Sequence, residues 1–267
     1  VRDVVERHGA NFWFERERVN YQAFFRFSLP LADAPEPAEA VSSAAASSRP
    51  EYYDFDFFGA VQSTQSLDEQ LLSDITFTVF DTETTGLHPA EGDQIIQIGA
   101  ARIVHGKLRA GEVFDQLVDP GRNIPAASIP IHGITKDMVQ GKPRIAQVLP
   151  AFHAFALDTV LVAHNAAFDM KLLQLQEAQS GVAFRQPVLD TLLLSAVVHP
   201  NQASHRLEAI AERFGIAVQG RHTALGDARV TAQIWLQLIP LLQTMGIQTL
   251  GDARAAAEKT YYARLQY

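Results

Sequence analysis

The sequence predicts an α/β domain: one mixed five-stranded sheet flanked by helices. Three observations carry this. Three strand-length runs rich in apolar and β-branched residues lie between Ile75 and Val118. From Arg144 onward, helical patterns alternate with two further short apolar runs, the order that builds a sheet with helices packed on it. Hydrophobic residues make up 47% of the 267, enough for a substantial core.

Taken in order, the chain divides into a small N-terminal module over 1–31, a linker over 32–73, the α/β domain over 74–242 and a helical tail over 243–267. In the first, residues 1–8 read as the end of a helix stopped near Gly9. Residues 11–17 and 21–29 alternate as the two strands of a hairpin. Residues 32–50 are rich in Ala, Ser, Pro and Glu, a composition that cannot build a core, and read as a flexible linker. Residues 51–73 hold an aromatic-acidic cluster, Tyr52-Tyr53-Asp54-Phe55-Asp56-Phe57-Phe58, suited to docking on another surface. Strands are then expected over 75–80, 94–104 and 112–118, the last two joined around Gly106. A helix is expected over 144–157, a buried strand over 159–163, a helix over 166–179 and a short fifth strand at 188–189. Helices follow over 206–214 and 224–238, and a final one over 251–267.

Composition narrows the function. The formal net charge is −8, unlike a protein that holds nucleic acid mainly through a basic surface. An acidic balance does suit a metal site built from several carboxylates, because bound cations offset their repulsion. There are no cysteines, which excludes disulfides, thiolate catalysis and cysteine zinc sites. No run of about 18 apolar residues occurs, so no membrane contact is expected. The opening residues suggest no secretory leader, and a cytoplasmic location is expected. The first residue is Val1, which fits a fragment or a processed or recoded start.

The chemistry concentrates in three places. In Phe80-Asp81-Thr82-Glu83-Thr84-Thr85-Gly86, Asp81 and Glu83 sit two apart at a strand end, so both carboxylates point to the same side. Carboxylates held that close repel unless a cation lies between them, and hard oxygen ligands favour Mg²⁺ or Mn²⁺. A solvated D-x-E at a strand end is the plainer alternative. Asp169 falls in the first turn of a helix that follows a buried strand, where open α/β sheets place their sites. It could instead only complement the helix dipole. Asp227 opens the long helix after His222, whose imidazole can accept a proton from water near neutral pH. A histidine before a helix is more often a surface or capping residue.

Five motifs occur in sequence: F-D-T-E-T-T-G from Phe80, I-H-G-I-T from Ile131, H-N-A-A-F-D from His164, D-T-L from Asp190 and H-x-x-x-x-D from His222. Together they resemble the DEDD exonuclease superfamily, in the branch with a catalytic histidine. The proofreading epsilon subunit of bacterial DNA polymerase III is its familiar member. The resemblance covers residues 75–242. It implies a ribonuclease H-like fold and two-metal hydrolysis of a phosphodiester, with two Mg²⁺ (or Mn²⁺) ions roughly 4 Å apart. Asp81, Glu83, Asp169 and Asp227 would hold the ions and His222 would be the general base. Thr84, Thr85, Gly86 and Leu87 would grip the terminal nucleotide. His132, His164, Asn165 and Phe168 would line the same pocket, with Phe168 equally suited to the core. The five acid and base positions show no departure from the family pattern.

The resemblance implies a 3′→5′ exonuclease that acts on DNA 3′ ends, single-stranded or frayed, in proofreading or repair, either alone or with a DNA polymerase as a partner. A 3′ exoribonuclease acting on RNA is the alternative among enzymes. A nuclease-like regulatory module of a signalling protein is the alternative outside them. The N-terminal segment has a second resemblance, carried by fewer residues. Val5-Glu6-Arg7-His8-Gly9-Ala10, Trp13, Glu15 and Phe25-Arg26-Phe27-Ser28-Leu29-Pro30 resemble the end of a histidine-kinase ATPase domain, against the alternative of an unrelated helix and hairpin.

Overall fold

A central strand carries the key carboxylates, and the rest of the fold is arranged around it. The computed structural model describes residues 11–16, 23–28, 65–218, 220 and 222–260, and the chain divides into two compact units, Val1–Ser47 and Ser48–Tyr267. In the first unit, β1 (Asn11–Arg16) and β2 (Ala23–Ser28) pair antiparallel from Asn11↔Ser28 to Arg16↔Ala23, the hairpin expected from the alternation. The helix expected over 1–8, the linker over 32–50 and the aromatic-acidic cluster lie outside the described residues.

The second unit opens with α1 (Gln65–Asp68), β3 (Phe77–Thr84), β4 (Ile95–Val104) and β5 (Lys107–Leu117). Next come α2 (Ile129–His132), α3 (Lys136–Val139), α4 (Ile145–Ala156) and β6 (Val160–Ala163). After these come α5 (Ala166–Leu175), α6 (Glu177–Ser180), β7 (Val188–Asp190), α7 (Thr191–Val198), α8 (Leu207–Arg213), α9 (Ala224–Thr244) and α10 (Leu250–Glu258). The sheet runs β5-β4-β3-β6-β7, with β3, β4 and β5 antiparallel and β3, β6 and β7 parallel. This is the mixed five-stranded sheet flanked by helices that the sequence predicts.

All eight residues of β3 are buried, because helices cover both faces of the sheet. Alternation along the strand then divides the core. Phe77 and Val79 face a cluster with Trp235, Leu238 and Leu242 of α9; Phe77 and Trp235 meet edge to face at 5.4 Å. Phe80 faces a cluster with Phe152 of α4 and Phe168 of α5.

Several element boundaries differ from expectation. The strand expected to end at Phe80 runs on through Asp81 and Glu83 to Thr84. The third strand starts at Lys107, not at residue 112, because a two-residue turn at His105 and Gly106, both with positive φ, returns the chain directly onto β4. The helix expected over 166–179 is interrupted at Gln176. Helix α7 was not expected: its sequence TLLLSAVV is buried nearly all round and has no polar face to reveal a helical period. Helix α9 continues past Leu238 and through Pro240. Burial of Ile239 and Leu242 beyond the expected end offsets the lost hydrogen bond.

Part of the expected linker is packed. Leu72 is 1% exposed, Leu71 bridges to Thr249, and Asp68 pairs with Arg254 of α10 at 3.0 Å. The polar composition of 65–73 concealed one core leucine. In the expected tail, Leu250, Ala253 and Ala257 belong to the same core cluster, and helix α10 ends at Glu258. Among the described residues, no helix is long and apolar enough to cross a membrane.

Candidate active site

The site lies at the polar end of β3. Asp81 and Glu83, 8% and 5% exposed, point to the face covered by α9. Asp227, in the first turn of α9, comes down onto them, and one oxygen from each of the three carboxylates lies within 4.8 Å of the others. At that spacing each pair of charges repels by about 3 kcal/mol, taking an effective dielectric near 20. Three hard oxygen donors so disposed fit a divalent cation such as Mg²⁺ or Mn²⁺ and suit no soft metal.

Two glycines let the helix come this close. The cross-strand partner of Asp81 is Gly99, where an added Cβ would lie 2.0 Å from the Leu225 backbone nitrogen. Gly226 packs on the preceding loop, where a Cβ would lie 2.0 Å from the Gly220 carbonyl oxygen. Thr223 caps the helix, its hydroxyl accepting from the Gly226 N–H at 3.1 Å. Gln97, paired with Glu83 across the strands, accepts from the Ala224 N–H at 3.2 Å and donates to Asp115 at 2.8 Å. His222 has φ 59°, a left-handed conformation unusual for a residue with a side chain, and its N–H donates to Asp227 Oδ2 at 3.3 Å.

Asp169 is not one of the three mutually close carboxylates and is bonded instead to the strand between Asp81 and Glu83. Its Oδ1 accepts from the Thr82 N–H at 3.1 Å and from the Thr82 hydroxyl at 2.5 Å. Thr82 lies between Asp81 and Glu83 and points the opposite way. Asp169 thus holds the segment that carries the two acids.

The expected nucleotide-gripping turn is itself latched. Thr84 donates to the Gly86 carbonyl at 2.7 Å, and Thr85 donates to Asp93 Oδ1 at 2.8 Å. The other Asp93 oxygen accepts from the His88 N–H at 3.0 Å, and a Cβ on Gly86 would strike this carboxylate at 2.3 Å. Leu87 is 39% exposed at the turn. His132 is buried at the end of α2, its Nδ1 accepting from the Ile134 N–H at 3.0 Å. His164 meets the Thr191 hydroxyl at 2.9 Å. Asn165 precedes the first residue of α5 in a left-handed conformation, φ 60°. Phe168 is 0% exposed within the Phe80–Phe152 cluster, the core position that the sequence offers as the alternative to a pocket residue.

Three residues outside the expected site stand out. Asp93 and Gln97 gave no signal in the sequence, since a polar residue beside an apolar strand is commonplace. Asp190 was visible in the D-T-L motif but received no role. Its carboxylate accepts from the Asn165, Ala166 and Leu192 N–H groups at 3.0, 2.9 and 2.8 Å, so it joins the starts of α5 and α7. Burial pushes its pKa up to about 6 despite these backbone hydrogen bonds, which favour the charged form.

Residues 78–235 match the family described as exonuclease, the RNase T family. A DNA polymerase III subunit epsilon-like protein from Rhodobacter capsulatus is 47% identical over 264 residues, which is 97% of this chain and 36% of that protein. A PolC-type DNA polymerase III from Thermotoga maritima is 36% identical over 203 residues, covering 74% of this chain and 14% of that one. The chain therefore spans well under half the length of either relative. Among solved structures, exonuclease X in complex with 5′-overhanging duplex DNA superposes with a TM-score of 0.55 at 27% identity, over 68% of this chain and 99% of that one. The nuclease domain of 3′hExo, a DEDDh family member solved with rAMP, gives 0.56 at 20% identity, over 67% and 95%. The fold is thus the ribonuclease H-like fold of such exonucleases.

Proposed function

We propose, from the premise that this chain belongs to the exonuclease family, that it hydrolyses DNA from the 3′ end one nucleotide at a time, releasing nucleoside 5′-monophosphates, in proofreading or repair. The observation that carries this reading is the convergence of Asp81, Glu83 and Asp227 on one face of β3, with Asp169 bonded to Thr82 between the first two. The names of the two relatives, both tied to DNA polymerase III, favour DNA over RNA and a polymerase as partner. A regulatory module without activity would have no need of all five acid and base residues.

Asp81, Glu83 and Asp227, with Asp169 beside them, would hold two Mg²⁺ or Mn²⁺ ions. When bound, such ions polarise a phosphate oxygen and lower the pKa of water. His222 takes the proton from the attacking water on an imidazole nitrogen. The left-handed backbone at His222 and its N–H bond to Asp227 tie the base to the carboxylate cluster. The Thr84–Leu87 turn receives the terminal nucleotide, with the exposed Leu87 side chain offering apolar surface to a base. His132, His164 and Asn165 line the approach. An unpaired end suits such a turn, because a paired end must first unstack.

The test is digestion of 5′-labelled single-stranded DNA and RNA of one sequence, with Mg²⁺ or with EDTA. The expected result is a one-nucleotide ladder from DNA, dependent on Mg²⁺ and slowed by a 3′-phosphate. Faster digestion of RNA would move the assignment to an exoribonuclease. Internal cuts in circular single-stranded DNA, or cleavage in excess EDTA, would overturn it.

A further inference from the structure

Gln97 is a polar side chain, 8% exposed, on the same face of the sheet as the acid cluster. We propose that it is a positioning residue: its amide, oriented by Asp115, sets the first turn of α9 so that Asp227 reaches Asp81 and Glu83. The inference rests on the metal-dependent reading above and names a residue on which that reading depends.

Strand pairing places the parts. Glu83 faces Gln97 across β3 and β4, while Asp81, Gly99 and Asp115 form the neighbouring row across three strands. Residues directly opposite on an antiparallel pair share a face, so Gln97 lies beside Glu83. Gly99 sets how closely the helix approaches the strand, since any Cβ would run into Ala224 and Leu225. It does not set where along the strand the helix starts.

Gln97 supplies that register. Ala224 is the first residue of α9, and a helix leaves its first N–H groups without an intrahelical acceptor. Thr223 receives the Gly226 N–H, and Gln97 Oε1 receives that of Ala224. Ala224 is 0% exposed, so water offers no substitute. The amide has one workable orientation. A backbone N–H only donates and a carboxylate only accepts, so turning the amide over would break both bonds. Asp115, on the exposed strand β5, could satisfy itself with water; its bond to Gln97 serves to aim the amide. Asp227 follows Ala224 by one helical turn, so a displaced start moves its carboxylate away from the other two.

The experiment reverses the polarity of the pair. Gln97→Glu keeps an acceptor for the Ala224 N–H but sets a second carboxylate against Asp115. Adding Asp115→Asn supplies an amide N–H and restores the contact with donor and acceptor exchanged. Gln97→Met removes both bonds at similar length and keeps the question open to test should Gln97→Glu fail to fold. In the full chain, Mn²⁺ binding is read by calorimetry, folding by thermal melting, and kcat and KM on single-stranded DNA.

Gln97→Glu and Gln97→Met are expected to weaken Mn²⁺ binding about tenfold or more, as loss of a supporting residue around a metal does. They should lower kcat more than they raise KM. The double variant with Asp115→Asn should recover Mn²⁺ affinity to within about threefold of the parent, whereas Asp115→Asn should give Gln97→Met no recovery. A purely structural role would instead lower the melting temperature and leave Mn²⁺ affinity intact, which overturns the proposal. So does a double variant no better than Gln97→Glu alone. A parent that binds Mn²⁺ but cuts no DNA defeats the proposed hydrolysis, while the binding measurements still decide the role of Gln97. A parent that binds no Mn²⁺ overturns both.

Discussion

Asp81 has opposite effects on function and on stability. It completes a group of three carboxylates that repel one another until a cation arrives. Asp81→Asn should therefore abolish hydrolysis and, in EDTA, stabilise the fold by about 1–3 kcal/mol, because one charge leaves the cluster. Thermal melting in EDTA checks this; a variant that melts below the parent contradicts the repulsion argument. His222→Ala should lower kcat about 10²-fold, with DNA binding little changed. Asp190 makes a separate prediction. Its folded pKa, about 6, is raised above the ordinary carboxylate value, so the native state holds the proton more tightly than the unfolded chain does. That stability is fully present below about pH 4 and is lost as pH rises through 6, on the order of 3 kcal/mol in all. Urea melts of the parent and of Asp190→Asn between pH 4 and 7 should show the parent's relative stability falling across this window. A constant difference between the two would rule out titration of Asp190.

At the scale of elements, the site depends on how closely a helix approaches a strand and on how a turn is latched. Gly99→Ala should push the start of α9 off β4, at a cost of about 1–3 kcal/mol for overpacking, with loss of most activity. Asp93→Ala frees the Thr85 hydroxyl and the His88 N–H, so the Thr84–Leu87 turn should hold its nucleotide less firmly. KM for DNA should rise about tenfold while kcat changes little, a pattern that marks lost substrate binding. Equal losses in kcat and in kcat/KM would place Asp93 in the chemistry instead. These elements also mark where the sequence could be read and where it could not. The period of two in D-x-E is enough to put Asp81 and Glu83 on one face, and the order of the motifs is enough to indicate a family. That period does not say which helix covers the face, nor that Asp169 is bonded to Thr82. Helix α7 was hidden for a related reason: full burial removes the polar stripe that advertises a helix. Asp93 and Gln97 act through partners 8 and 127 residues away, and local pattern carries no trace of such pairs.

For the whole molecule, folding and cation binding are linked. A cation that binds the folded cluster and not the unfolded chain stabilises the fold by about 2.7 kcal/mol at a hundred times its dissociation constant. For a unit of this size that is roughly 5–10 °C in melting temperature, readable by titrating Mn²⁺ into the metal-free protein. The gain should vanish in Asp81→Asn. The site residues all lie in the unit Ser48–Tyr267, so a chain lacking residues 1–47 is expected to keep its hydrolytic rate. A large loss, with the remaining chain folded, would mean that the N-terminal unit contributes to the site.

The placement of the acids on a central strand and at a helix start sets a difference in timing. β3 is third of five strands, paired to β4 along its length, and its Thr82 N–H is held by Asp169. Its amide protons should exchange with solvent only when the whole unit opens. Asp227 and His222 sit where a left-handed loop meets the first turn of α9, an end that can open by itself. Deuterium should therefore reach the amides of 222 and 223 long before those of 81–83, and a bound cation should slow the first group far more than the second. The metal-free site would then come apart and reassemble repeatedly from its helix side within the lifetime of one folded molecule, with the strand side staying closed throughout.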